Sequence, residues 1–136
     1  MVPTLNDGDR LILTAFEFDP QNGDVIVSSQ PNNSPTLPDT LIKRIIATEG
    51  QTVDIDFVNS IVYVDGVALD EPYIYDTTTD DEDFHGEITV PEGCVFVMGD
   101  NRNHSTDSRD SRIGFIREEY ILGKVLYKTN DFSKVE

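Results

Sequence analysis

The sequence is short of cysteine, of cationic side chains and of long apolar runs, and each shortage excludes something. Cys94 is the single cysteine, so no intrachain disulfide can form, and neither a redox role nor a compartment follows from it. Its setting, Cys94-Val95-Phe96-Val97-Met98, is apolar and reads as a buried structural thiol. Ten lysines and arginines stand against 26 aspartates and glutamates, for a net charge of -16. That balance excludes a nucleic-acid partner, whose phosphates need a positive face, and broad electrostatic attraction to anionic lipid. It reads as a solvated acidic shell. No stretch in the sequence approaches the roughly 20 apolar residues that span a bilayer. Long 3.6-residue periodicity and internal repeats are also missing. Neither of the two histidines, His85 and His104, has an acid or metal partner at a telling spacing.

What is present is β texture. At 136 residues with 38% hydrophobic content, the chain suits one compact domain spanning residues 1–136. Short β-branched runs bounded by turn residues predict strands at Asp9–Thr14, Asp24–Ser28, Leu41–Ala47, Thr52–Phe57, Ser60–Val64, Gly86–Thr89, Cys94–Met98 and Ile121–Tyr127. The fold class is therefore all-β, a sandwich or barrel of short antiparallel strands. Val64-Asp65-Gly66-Val67 marks a hairpin, because Asp-Gly supplies the positive φ angles of a type I′ turn. One helical turn is predicted at Arg117–Tyr120, where Glu118 and Glu119 suit its start. Two polar segments, Gln30–Thr40 with Pro31, Pro35 and Pro38, and Asp76–Asp83, read as mobile surface loops. The carboxylates of the second, Asp76, Asp80, Asp81, Glu82 and Asp83, could gather a calcium ion, but their spacing is not that of an EF-hand loop.

Chemistry concentrates in a few places. Lys43 stands among Leu41, Ile42, Ile45 and Ile46, and strand alternation puts it on one face with Leu41 and Ile45. On an apolar face a lysine loses hydration, which disfavours its charged form. Lowering its pKa from about 10.4 to about 8 takes about 3 kcal/mol, within the reach of burial, and leaves a neutral amine able to act as a general base. On the solvent face of an edge strand the same lysine would be inert. The run Gly99-Asp100-Asn101-Arg102-Asn103-His104-Ser105-Thr106-Asp107-Ser108-Arg109 follows an apolar strand and reads as a loop held by side-chain hydrogen bonds. Within it Asp107 can pair with Arg102 or Arg109, and Ser105 can bond a nearby base. A plain polar surface loop is the competing reading.

Taken together and in order, these segments resemble the type I signal peptidases of bacteria. That family's pattern runs Ser-Met-x-Pro-Thr-Leu, Gly-Asp, Gly-Asp-Val, Lys-Arg in a strand, and Gly-Asp-Asn-Arg-x-x-Ser-x-Asp-Ser-Arg. The matching positions here are Met1-Val2-Pro3-Thr4-Leu5, Gly8-Asp9, Gly23-Asp24-Val25, Lys43-Arg44 and Gly99 to Arg109. The compact spacing is similar to that of members from Gram-positive bacteria. The resemblance implies a signal-peptidase-like complex of short antiparallel sheets, or a partly closed barrel. It implies a serine endopeptidase that removes signal peptides from exported preproteins with a Ser/Lys dyad and no cofactor. Lys43 would be the general base and Ser105 would orient it. Arg44, Asp100, Asn101, Arg102, Asp107, Ser108 and Arg109 would shape the site, and Met1 and Pro3 would lie beside the substrate. Signal peptides would be the partner, at the outer face of the bacterial cytoplasmic membrane. The parent protein would be membrane-anchored and this fragment soluble, with the apolar stretch Leu11 to Phe18 as a possible membrane contact or, more simply, a core strand. The family's nucleophilic serine belongs directly before Met1, where this sequence starts, so the polypeptide by itself is expected to be inactive. Two other readings are a catalytically inactive module that binds signal peptides and a self-cleaving repressor-type protease domain. The long Gly-Asp-Asn-Arg motif and the lack of a DNA-binding segment oppose the latter.

Overall fold

The computed structural model describes residues 1–5, 11–13, 19–29, 40–128 and 133–134. Eleven strands are formed among them: β1 (Leu11–Leu13), β2 (Val25–Ser29), β3 (Thr40–Thr48), β4 (Thr52–Asp56), β5 (Ile61–Val64), β6 (Val67–Ala68), β7 (Ile88–Thr89), β8 (Cys94–Met98), β9 (Ile116–Arg117), β10 (Ile121–Lys128) and β11 (Ser133–Lys134). They build two antiparallel sheets. The larger runs β1-β10-β2-β3-β8-β9, with β11 also on β10, and the smaller runs β6-β5-β4-β7. No pairing among the described residues closes either sheet into a barrel. The expected all-β class holds, and every predicted strand has a counterpart. The β5–β6 hairpin turns on Asp65 and Gly66, at φ 51° and 77°, as Asp-Gly requires of a turn that matches the strand twist.

Helix is confined to two single turns of 3-10 type, Arg102–His104 and Glu118–Tyr120. The second starts one residue inside the predicted turn and carries Glu118 and Glu119 at its positive end. The predicted loop 30–39 and residues 14–18 of the apolar stretch lie outside the described residues.

Strands β3 and β8 are buried on both faces and bind the molecule together. Ile46, Ala47, Phe96 and Met98 face one core, shared with Val53, Ile55, Val62 and Val64 of the small sheet. Ile45, Leu41, Val95 and Val97 face a second, with Ile26, Ile113 and Ile116. The β3–β8 register shifts between Ile45 and Ala47. An extra residue at a bulge breaks strict alternation, which accounts for Ile46 and Ala47 entering the same core. Cys94, expected to be buried, is only half-buried: it opens β8 at the rim of the first core.

The segment Asp76–Asp83 lies at the surface, as its composition suggests, but it is tied to the fold at several points. Thr78 is fully buried. Asn103 Oδ1 accepts from the backbone nitrogens of Thr79 and Asp80 at 3.0 and 3.1 Å, and Asn103 Nδ2 donates to Thr77 O at 2.8 Å. The partners that pin it lie more than 20 residues away along the chain, beyond what local composition reports.

Candidate active site

β3 and β8 are hydrogen-bonded neighbours, with Arg44 opposite Met98. The loop that leaves β8 at Gly99 therefore starts beside Lys43 and Arg44. Lys43 Nζ lies 2.7 Å from Ser105 Oγ, a hydrogen bond between residues 62 positions apart. Burial lowers the pKa of Lys43; the nearby carboxylates of Asp107, Glu82 and Asp100 oppose this shift, and the Arg109 guanidinium adds to it. Room for the contact depends on Gly99. A Cβ there would stand 2.1 Å from Ser105 Oγ and 3.4 Å from Lys43 Nζ, so any side chain at this position would push the hydroxyl off the amine.

Around this pair the loop is held by three ion pairs of almost fully buried arginines. Asp107 accepts from Arg109 Nε and Nη2 at 2.9 and 2.8 Å, a bidentate fork, and takes the backbone N–H of Gly99 at 3.0 Å. Of the two partners open to Asp107 in the sequence, Arg109 is the one it meets. Arg102 instead pairs with Glu71, at 2.8 Å, and donates to Gly99 O at 2.9 Å. Arg44 grips Asp100 with Nε and Nη2 at 2.9 and 2.8 Å. Its remaining arm reaches Gly23 O at 2.9 Å. Each buried charge thus has a fixed partner, which a desolvated ion needs in order to stay charged. Ser108 ties the loop back to β8, donating to the acceptor side of the exchange through its own N–H to Val97 O at 3.1 Å and receiving Val97 N on its Oγ at 2.9 Å.

The amino-terminal residues join the same network. Thr4 Oγ1 donates to Asp100, Asp100 N lies 3.4 Å from Met1 Sδ, and Leu5 N bonds Met1 O at 3.0 Å. Pro3 is exposed beside them. Asn101 flanks the 3-10 turn, its Oδ1 buried without a partner. All the residues singled out in the sequence except Pro3 and Asn101 therefore enter this one network of contacts. Three further members were not singled out for this site, Glu82 having been read only as a candidate calcium ligand. Glu71 is the counter-ion of Arg102, and the Tyr73 ring lies 4.0 Å from the Arg44 guanidinium carbon and 6.0 Å from that of Arg102. Glu82 reaches the site from the acidic loop. Only the Glu-Pro-Tyr grouping at Glu71-Pro72-Tyr73, an acid and an aromatic fixed in a turn, offered a sequence signal. Among the described residues no three His, Cys, Asp or Glu side chains converge as a metal ligand set.

The family model described as "Signal peptidase, peptidase S26" matches residues 1–129. The chain belongs to the signal peptidase family. Relatives agree with that membership. The probable signal peptidase I-1 of Synechocystis sp. is 41% identical over 135 residues, covering 94% of this chain and 65% of its own length. Signal peptidase I of Bacillus caldolyticus is 35% identical over 141 residues, covering 94% of this chain and 73% of its own. This chain thus spans about two thirds of the length of such relatives. A crystal structure of a signal peptidase I from Enterococcus faecalis superposes with a TM-score of 0.62 at 30% identity, covering 79% of this chain and 97% of that one. Fold and family are thereby fixed.

Proposed function

We propose that this chain carries the base half of a Ser/Lys dyad in a signal peptidase that cleaves signal peptides from exported preproteins. The observation that carries the reading is the partly buried Lys43 amine, shifted toward its neutral form and held 2.7 Å from Ser105 Oγ. A neutral amine can take the proton of a serine hydroxyl, and the serine then attacks the scissile carbonyl; the ammonium so formed returns its proton to the leaving amine. The nucleophile is the serine that the family pattern places directly before Met1. The bonds of Met1 and Thr4 to Asp100 support this, because they tie the amino-terminal residues to the loop that carries Ser105. Ser105 orients the amine. Asp107 and Arg109 hold the loop that carries Ser105. The substrate is an extended peptide with small side chains, in the Ala-x-Ala pattern, lying along exposed strand backbone. The place of action is the outer face of the bacterial cytoplasmic membrane, with the parent protein anchored there.

Cleavage of an Ala-x-Ala peptide in detergent tests the reading on three polypeptides: the 136-residue chain, the chain extended upstream through the serine, and the extended chain with Lys43→Ala. Only the unsubstituted extended chain should cut, and Lys43→Ala should lower its rate at least about a thousandfold. Equal cleavage by all three would place the nucleophile and the base elsewhere.

A further inference from the structure

We propose that Glu82 is a positioning residue of this site, a carboxylate that the Asp76–Asp83 loop holds against the Lys43–Asp107–Arg109 cluster to set how readily Lys43 keeps its proton.

The loop is built to place this side chain. Arg109 Nη1 donates to Asp80 O at 2.6 Å, so the arginine that grips Asp107 also grips the loop. Three residues on, Asp83 Oδ1 accepts from Ser111 N at 2.8 Å. Phe84 is then buried in the first core against Phe57 and Phe96, at ring distances of 6.3 and 5.8 Å. Between these ties Glu82 sits at φ 52°, a left-handed conformation uncommon for a non-glycine residue. Its N–H bonds Asp80 Oδ1 at 3.0 Å. Its Oε2 is buried and has no hydrogen-bond partner. Glu82 thus turns one carboxylate oxygen inward with no hydrogen bond to hold it there.

The groups facing that charge come from every neighbouring element. Lys43 comes from β3; Asp107, Arg109, Asp110 and Arg112 come from the segment after β8; and Asp80 comes from the loop itself. Burial, and then the like charge of Asp107, push the Glu82 carboxyl up to about 7, against the pull of Arg109. When ionised, Glu82 favours the ammonium form of Lys43. Removing its charge must therefore lower the pH at which Lys43 loses its proton. Glu82 opposes the burial that makes the lysine basic at neutral pH, and so keeps the amine's midpoint from falling too far below the working range of a general base.

The inference rests on the base role given to Lys43, but its test does not use cleavage. The amine carbon of each lysine can be followed by NMR through a pH titration of the 136-residue chain. Three polypeptides serve: the unsubstituted chain, Glu82→Gln and Asp83→Asn. Glu82→Gln should move the Lys43 midpoint to lower pH by about half a pH unit or more, with Lys124 unmoved. Asp83→Asn, which removes a neighbouring charge that does not act on Lys43 and keeps an oxygen to accept from Ser111 N, should leave the midpoint in place. In the unsubstituted chain the Glu82 carboxyl carbon should titrate at about 7 and the Lys43 signal should inflect with it, a readout that needs no folded variant. An unchanged Lys43 midpoint in Glu82→Gln, or a Lys43 curve with no inflection where Glu82 titrates, overturns the inference. Loss of the dyad reading would show instead as cleavage indifferent to Lys43→Ala, with the titration result intact.

Discussion

The stretch from Thr52 to Ala68 and the stretch from Gly99 to Arg109 each hang from strands at the edge of the same apolar core, yet they are held by opposite means. The first is strand and turn throughout. Val53, Ile55, Val62 and Val64 alternate inward, and Asp54, Asp56 and Asp65 turn outward to bond backbone groups at the surface. The second has almost no regular structure. Its three large buried side chains are not apolar: Arg102 and Arg109 lie inside it, and Arg44 reaches it from β3. Apolar burial is non-directional, whereas a bidentate ion pair fixes both distance and angle. The stretch that must hold Ser105 to Lys43 uses the directional forces, and the stretch that only fills the core uses the others.

The largest effect that could break this contrast is at Asp107. Asp107→Ala leaves Arg109 buried without its carboxylate and frees the Gly99 N–H. Stability should fall by about 3–5 kcal/mol, read as a lower midpoint in urea; a loss below about 1 kcal/mol would mean that water replaces the carboxylate and that the network is softer than its geometry. In the hairpin stretch, Ile55→Val removes one methylene from a side chain at the edge of its core. The expected loss is about 1 kcal/mol by the same measurement, and a loss equal to that of Asp107→Ala would erase the distinction. The smallest effect sharpens it. Arg117 and Glu119 form an ion pair at 2.8 Å with both side chains more than half exposed. Arg117→Ala should change stability by less than about 0.5 kcal/mol. A larger change would mean that charge pairing stabilises this protein even in water, not only where it is buried.

The two stretches also differ in how far the sequence disclosed them. Strand ends followed from Asp-Gly, Gly and Pro, because turn chemistry is local and the hairpin's contacts are between near neighbours. Placing Lys43 with Leu41 and Ile45 on one strand face needed only alternation. The pairing of Asp107 stayed open between two arginines, since both are within reach along the chain and only the path of the loop decides between them. Glu71, Tyr73 and Glu82 were passed over for the same reason: each meets its partners across more than 20 residues, from segments whose composition reads as plain surface. The acidic loop is exposed at most of its carboxylates, as its composition suggested, but what fixes it is the amide of Asn103 and the guanidinium of Arg109, neither of which the loop's own sequence announces.

Strand β8 places Phe96 and Met98 in one core and Val95 and Val97 in the other. The strand cannot detach from one side while remaining seated on the other, so the two cores melt as a single cooperative unit. The amides of Gly99 and Ser108, which are bonded to Asp107 and Val97 at the end of that strand, are carried along with it. Their exchange with solvent is thereby tied to the opening of the whole domain, and a loop with hardly any secondary structure inherits the slowest clock in the molecule.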